Sequence, residues 1–357
     1  MRLLALLTDA YGAGGGIARY NQALLAACSQ SAIVTEVVVL PRFASASASV
    51  PAKVRQLPPS SDRATWGARA VALAARDRYD GIFCGHLNAL PLAAMIALPL
   101  RARLWVQVHG VEAWQPRSKV YRGALAGTDL VTSVSRHTRH KLLQWADLQA
   151  HRVRVLPNTL APASVGPQPA DVRVDARNAG DDHAILTVGR MSASEAYKGH
   201  DRIIAAMPAI LARVPNARYR IVGSGDDVAR LRQLAERMGV AERVVFAGQV
   251  ADHDLPRYFA SASAFAMPST GEGFGIVFLE AAAAGLPVIG GNRDGSVDAL
   301  ADGRIGRLVD PGSQEEIVDA VAEALQGRGT GDPAEVERFC FENFSHHVDG
   351  LLRSLVH

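Results

Sequence analysis

The chain has 357 residues, 48% hydrophobic and 20% charged, a balance that suits a globular protein long enough for two domains. Three widely spaced cysteines (Cys28, Cys84 and Cys340) form no metal-binding spacing and suggest a reducing, cytoplasmic compartment. The longest uncharged apolar run, 89–100, contains Pro91 and Pro99 and falls short of the ~20 residues a membrane span needs.

In chain order, the apolar start stops after five residues at Thr8-Asp9, so it reads as a buried first strand and not a signal peptide. Strand-like and helix-like runs then alternate at 3–7, 17–29, 34–40, 66–75, 81–84, 90–98, 104–109, 130–134 and 152–156. Between Ala161 and Asp182 the periodicity lapses into Pro, Gly, Asp, Ala and Arg, a linker composition. The alternation restarts at 184–188, 201–213, 219–222, 228–238, 244–246, 255–262, 264–267, 275–284, 287–289 and 317–325, and the tail from Glu335 is expected to be helical. Strands alternating with helices predict parallel sheets covered on both faces.

The net charge of +3 is unevenly placed. Residues 1–165 hold 19 Lys and Arg against 8 Asp and Glu, net +11, and the remainder is net −8. The first half should therefore meet something anionic. No helix-turn-helix, zinc or aromatic-basic module points to nucleic acid. An anionic membrane surface or a lipid-phosphate acceptor fits better, met by Arg69, Arg76 and Arg78 around one helix and Arg136, Arg139 and Lys141 on another. A solvated arginine-rich surface is the alternative.

Several motifs fall at strand ends, where open α/β sheets bind ligands. The loop Thr8-Asp9-Ala-Tyr-Gly-Ala-Gly-Gly-Gly16 precedes the first helix and lets backbone approach a phosphate. A nicotinamide-dinucleotide fingerprint would need Gly or Ala at Ile17 and an acid after the second strand, where Leu40-Pro41-Arg42 stands. A tight turn is the remaining alternative. Val188-Gly189-Arg190 and Tyr197-Lys198-Gly199 place two cations where both can meet one anion. His109-Gly110 ends another strand, as do Ser133-Val-Ser135-Arg136 and Leu156-Pro-Asn158-Thr159. Ile221-Val-Gly223-Ser-Gly225 and Gly248-Gln249-Val250 follow two more. Asp252-His-Asp254 imitates a metal-binding Asp-x-Asp, but before Leu255-Pro256 it reads as a helix N-cap. Glu272-Gly-Phe-Gly-Ile-Val-Phe-Leu-Glu280 sets one carboxylate on a loop and a second inside the next helix. Two such acids suit hydroxyls on a ligand with two polyol patches.

The paired glutamates, with the Arg190–Lys198 pair and the first glycine loop, resemble the signature of retaining glycosyltransferases of family 4 over nearly the whole chain. The resemblance implies a GT-B architecture: two Rossmann-like doubly wound α/β domains across a cleft. It assigns 1–165 to the acceptor, 166–335 to the nucleotide sugar, and 336–357 to a helix packing back on the N-terminal domain. It implies hexose transfer from a GDP- or UDP-linked sugar to a hydroxyl acceptor, a lipid-linked one among the options, without a metal or cofactor. Exopolysaccharide, capsule or glycolipid synthesis would be the setting, with the protein cytoplasmic and peripheral on the inner membrane face. In that family pattern Gly15 and Gly16 meet the pyrophosphate, and Arg190 and Lys198 stabilise the leaving diphosphate. Glu272 faces the transferred sugar and Glu280 the ribose. Backbone at Phe274, Gly275 and Ile276 touches sugar or phosphate, and Gly223 and Val250 line the base pocket. His109 lies near the sugar and, with Asn158, on the acceptor side. The surroundings of Gly248-Gln249-Val250 resemble some mannosyltransferases that read guanine, which favours mannose. One departure concerns donor choice. Where the family has Gly-Gly and then Pro-Glu, this chain has Asp294-Gly295 and Val297-Asp298, so Asp294 adds a charge near the expected sugar pocket. A sugar-nucleotide-binding protein and a nucleotide-sugar 2-epimerase of the same fold remain the alternatives.

Overall fold

A computed structural model describes residues 1–44, 49–160, 183–327 and 331–356. It divides into two compact units, Met1–Ala161 with Cys340–His357, and Pro162–Phe339. The linker expected over 161–182 lies outside the described residues.

The first unit is built on β1 (Arg2–Asp9), β2 (Glu36–Phe43), β3 (Val54–Gln56), β4 (Gly81–Cys84), β5 (Arg103–Val108), β6 (Leu130–Ser133) and β7 (Val153–Val155). They form one parallel sheet in the order β3-β2-β1-β4-β5-β6-β7. The apolar start is thus a central strand, with Leu3 to Leu7 all buried. That explains its run without alternation, because a parallel strand is covered on both faces. Helices α1 (Gly16–Gln30), α2 (Arg63–Arg76), α3 (Leu90–Leu100), α4 (Lys119–Ala126) and α5 (Arg136–Leu143) connect these strands. Pro91 opens α3 at a position that needs no N–H partner, and the helix is 11 residues long. Among the described residues no helix is long and apolar enough to cross a membrane.

The second unit repeats the plan with β8 (Ala184–Val188), β9 (Arg218–Val222), β10 (Val244–Gly248), β11 (Ala264–Met267), β12 (Val288–Gly291) and β13 (Arg307–Val309). Its parallel sheet runs β10-β9-β8-β11-β12-β13. Between the strands lie α6 (His200–Arg213), α7 (Val228–Arg237), α8 (Leu255–Ala260), α9 (Ile276–Ala283) and α10 (Ser296–Ala299), followed by α11 (Gln314–Leu325) and α12 (Pro333–Glu337). The final helix, α13 (Phe341–Val356), belongs to the first unit and packs on α1. Its buried face is Phe341, Phe344, Val348, Leu352 and Leu355, a helical stripe. Ser31 Oγ donates to Asp349 Oδ1 at 2.6 Å, and the Phe344 ring meets Tyr20 edge-on at 5.9 Å.

Two sequence readings change at this level. Asp254 does occupy the N-cap of α8, but its side chain accepts no backbone N–H there and instead faces His253 and Arg257. Of the basic residues expected to face an anionic surface, Arg69 and Arg139 turn inward. Arg69 donates to the Pro58 carbonyl at 2.8 Å and Arg139 to the carbonyls of Val153 and Ala150, so both are bound up in holding loops.

Candidate functional site

In each sheet the strand order reverses direction once, between β1 and β4 and between β8 and β11. Loops leaving the strands there diverge and open a crevice, the usual ligand position in such sheets. In the second unit, the loop after β8 carries Arg190, Glu195 and Lys198, and the loop after β11 carries Glu272. Backbone and side chains stitch the two loops together. Thr270 N–H donates to the Tyr197 carbonyl at 2.9 Å, and the Arg202 guanidinium to the Pro268 carbonyl at 3.0 Å.

The result is a row of four alternating charges. The Arg190 guanidinium pairs with Glu195 Oε1, Glu195 Oε2 lies 3.8 Å from Lys198 Nζ, and Lys198 Nζ donates to Glu272 Oε1. Glu195, Lys198 and Glu272 each keep only 13% of their side chain exposed, whereas Arg190 is 77% exposed. Burial works against the Lys198 charge, but Glu272, Tyr197 and Glu195 together outweigh it and hold the ammonium pKa above its ordinary value. Glu195 Oε2 is buried and accepts no hydrogen bond among the described residues.

Glu272 is aimed by a neighbour that the sequence reading placed differently. Asp294 is 1% exposed, so it adds no charge to an open pocket. Its Oδ2 accepts from Glu272 N–H and Ser269 Oγ, each at 2.8 Å, and its Oδ1 from Ser296 N–H at 2.9 Å. Burial raises its pKa, and these hydrogen bonds oppose the rise. Asp294 is therefore a brace behind the Glu272 loop, at a position where a buried carboxylate is tolerated because its acceptors are filled.

The remaining second-unit candidates spread from this point. Gly275 is the N-cap of α9 at φ 84°, a left-handed conformation that suits glycine, and no side chain caps the helix start. Ile276 opens the helix, Phe274 is buried against the Phe339 ring, and half-buried Glu280 lies further along α9. Val250, half-buried, follows β10. Gly223 has an internal reason to be glycine. Its N–H donates to the Gly248 carbonyl at 2.8 Å, and a Cβ there would come within 2.0 Å of the Gly189 carbonyl oxygen. Backbone packing thus seats the β9 turn against the β8 turn.

The first unit's crevice is of another kind. Gly15 is the N-cap of α1 at φ 95°, without a capping side chain, and Gly16 begins the helix. A Cβ on Gly14 or Gly15 would meet nothing within 4 Å, so the loop is open on that side. His109 follows β5. Its Nε2 lies 2.9 Å from the Gly85 carbonyl, which can only accept, so Nε2 carries the proton and Nδ1 is the acceptor. Burial lowers its pKa to about 4, so the ring is neutral at neutral pH. Tyr20 meets it edge-on at 5.1 Å, and His86 stacks near it at 6.2 Å. Asn158 is buried, and its Oδ1 has no hydrogen-bond partner among the described residues.

Residues 14–163 match the family model described as Glycosyltransferase Family 4, and residues 171–337 the one described as Glycosyl transferases group 1. The chain belongs to glycosyltransferase family 4. It is 37% identical over 251 residues to a GDP-mannose-dependent alpha-(1-6)-phosphatidylinositol monomannoside mannosyltransferase of Mycobacterium tuberculosis, covering 66% of this chain and 64% of that one. The Mycolicibacterium smegmatis protein of that name is 34% identical over 254 residues, covering 66% and 65%. The chain thus spans just under two thirds of the length of these relatives. Among solved structures, Anabaena HepE in complex with UDP-glucose aligns at a TM-score of 0.74 and 22% identity, over 99% of this chain and 100% of that one. At that identity the likeness shows the two-domain fold.

For this family 4 chain the structure brings Arg190, Lys198 and Glu272 into one charge row and puts His109 and the glycine loop at the first unit's crevice. Three residues escaped the sequence reading. Glu195 could have been noticed from its acid-to-base spacing of three to Lys198. His200, 4% exposed with Nε2 3.4 Å from the Arg190 carbonyl, has its pKa lowered to about 4 by burial. His86 carries no sequence signal beyond following a strand.

Proposed function

We propose that this protein is a retaining hexosyltransferase that moves a sugar from a nucleoside diphosphate to a hydroxyl acceptor. The alternating row Arg190, Glu195, Lys198, Glu272 carries this reading. Two fixed cations meet a diphosphate, and the buried carboxylate beside them accepts from sugar hydroxyls. As the glycosidic bond breaks, negative charge grows on the leaving diphosphate, and cations already in place stabilise that charge without reorganising. Such charge neutralisation asks for no metal, so EDTA is expected to leave the rate unchanged. Retention follows from front-face attack, in which a donor phosphate oxygen takes the acceptor proton and Glu272 orients the sugar. The uncapped start of α9 offers N–H groups to phosphate or sugar, and Glu280 holds the ribose. The open glycine loop at Gly15 and Gly16 offers backbone N–H groups to a phosphate. Gly223 and Val250 flank the base, Gly223 by seating its turn.

Relatives named for GDP-mannose support that donor over a UDP-linked one. The first unit takes the acceptor, whose hydroxyl would supply the donor that buried Asn158 Oδ1 lacks among the described residues, while His109 Nδ1 accepts from a hydroxyl of that acceptor. A lipid-linked acceptor fits the outer face of this unit. Val71, Met95, Leu98 and Val120 stand exposed on α2, α3 and α4, and Arg76, Arg78, Arg101 and Arg103, with Asp77 and Asp80 among them, line a hollow of about 790 Å³ at the ends of α2 and α3. Apolar side chains rimmed by arginine suit peripheral contact with anionic lipid on the inner membrane face. The test is product analysis with GDP-mannose and UDP-glucose, the acceptor hydroxyl presented free or on anionic vesicles. Transfer with retention from GDP-mannose, faster on vesicles, is expected. Hydrolysis or epimerisation alone would contradict the activity, and equal rates on free acceptor would contradict the membrane part.

A further inference from the structure

Glu195 stands where a donor-binding site should avoid negative charge. Its carboxylate touches Arg190 and lies 3.8 Å from Lys198, the two cations that the proposed function assigns to the diphosphate. It is not a solvated surface acid, because its side chain is 13% exposed and its Oε2 is buried without a hydrogen-bond donor among the described residues. It is not required to neutralise Lys198 either, because Glu272 already takes that ammonium. The chain therefore keeps a second, incompletely satisfied carboxylate beside its cation pair, and an incompletely satisfied buried acceptor raises the energy of the state that contains it.

We infer that Glu195 is a positioning and release residue: it holds Arg190 toward the site and competes with the spent nucleoside diphosphate for the two cations. The inference rests on the diphosphate reading of that pair. When a donor binds, Glu272 turns to sugar hydroxyls and Lys198 turns to the phosphates. Once the hexose has left, the free diphosphate carries more negative charge than it did as a diester and would cling to both cations. Glu195 Oε2, already within 3.8 Å of Lys198, recaptures the ammonium and lowers the affinity for product. Arg190 is 77% exposed, so the Glu195 contact is what fixes an otherwise mobile guanidinium. No bond is made or broken by Glu195. Its effect is electrostatic, and it belongs to product release, often the slow step of a transfer.

The experiment measures GDP and UDP affinity by titration calorimetry, alongside steady-state and burst kinetics, for wild type, Glu195→Gln, Glu195→Ala and Lys198→Met. Glu195→Gln keeps an oxygen for Arg190 and removes one unit of negative charge beside the phosphates. It should tighten diphosphate binding about tenfold and lower kcat, with a pre-steady-state burst appearing. Glu195→Ala also frees Arg190, so its gain in affinity should be smaller and its donor KM higher. A merely structural role predicts weaker binding in both variants, the opposite sign. Unchanged or weakened diphosphate affinity in Glu195→Gln, with Lys198→Met still weakening it, overturns this inference and leaves the diphosphate site standing. Unchanged affinity in Lys198→Met removes the diphosphate site itself, and the inference with it.

Discussion

At the switch point of the first unit stand an open glycine turn and a histidine held unprotonated by burial, with a single carboxylate, Glu112, accepting the backbone N–H of that histidine. At the same topological point of the second unit stand four alternating charges, three of them nearly buried. Both sheets share one strand order as far as six strands, so topology does not choose the chemistry. The difference lies in what each loop is fastened to. The second unit's loops are stitched to each other by backbone contacts and braced from behind by Asp294, so they can hold charge at fixed positions. The first unit's glycine turn is uncapped and open, which suits a surface that must receive ligands of differing shape.

The largest break in that comparison should come from Glu272→Ala. Removing the carboxylate leaves Lys198 without its hydrogen-bonded partner and the sugar without an orienting acceptor. Turnover should fall by at least about a thousandfold with the fold intact by circular dichroism. Near wild-type turnover would show that the charge row is structural only.

Asp294→Asn tests the brace. The amide presents one acceptor where the carboxylate presented two, so either the Glu272 N–H and Ser269 hydroxyl or the Ser296 N–H meets an NH₂ group. A cost of about 1–3 kcal/mol in stability and roughly tenfold in turnover is expected from thermal unfolding and steady-state rates. Lost turnover without lost stability would mean that Asp294 meets the ligand directly.

A smaller effect sharpens the comparison through pH. His109 in the first unit and His200 in the second both have folded pKa values lowered to about 4 by burial. Each contributes stability that is full above the unfolded value near 6.5 and is lost as pH falls toward 4, up to about 3 kcal/mol apiece. Chemical denaturation at pH 7 and pH 4.5 should show that loss. His200→Gln should shrink it without adding an ionisable group, and an unchanged pH dependence would contradict neutral burial. The pH–rate profile should show no limb from His109 between pH 5 and 8.

The sequence carried the architecture well, because buried parallel strands such as 3–7 and 264–267 read as unbroken apolar runs between helices. It lost β3, β13 and α10, which span only three or four residues, and α4, where Gly123 interrupts a short helix. Arg190, Lys198 and Glu272 were legible because each stands at a strand end or a helix entry. Glu195 was marked only by its spacing of three to Lys198, and the role of Asp294 was not legible, since the role of a buried acid is set by which distant N–H faces it. Asp294 meets Glu272 across 22 residues, and nothing local marks that meeting.

The most direct measurement is single-turnover transfer from GDP-mannose by wild type and Lys198→Ala, with donor affinity determined in parallel. If Lys198 stabilises the departing diphosphate, the chemical step should slow by about a hundredfold or more while donor affinity falls far less. An unchanged chemical step, or a loss confined to donor binding, would contradict the account.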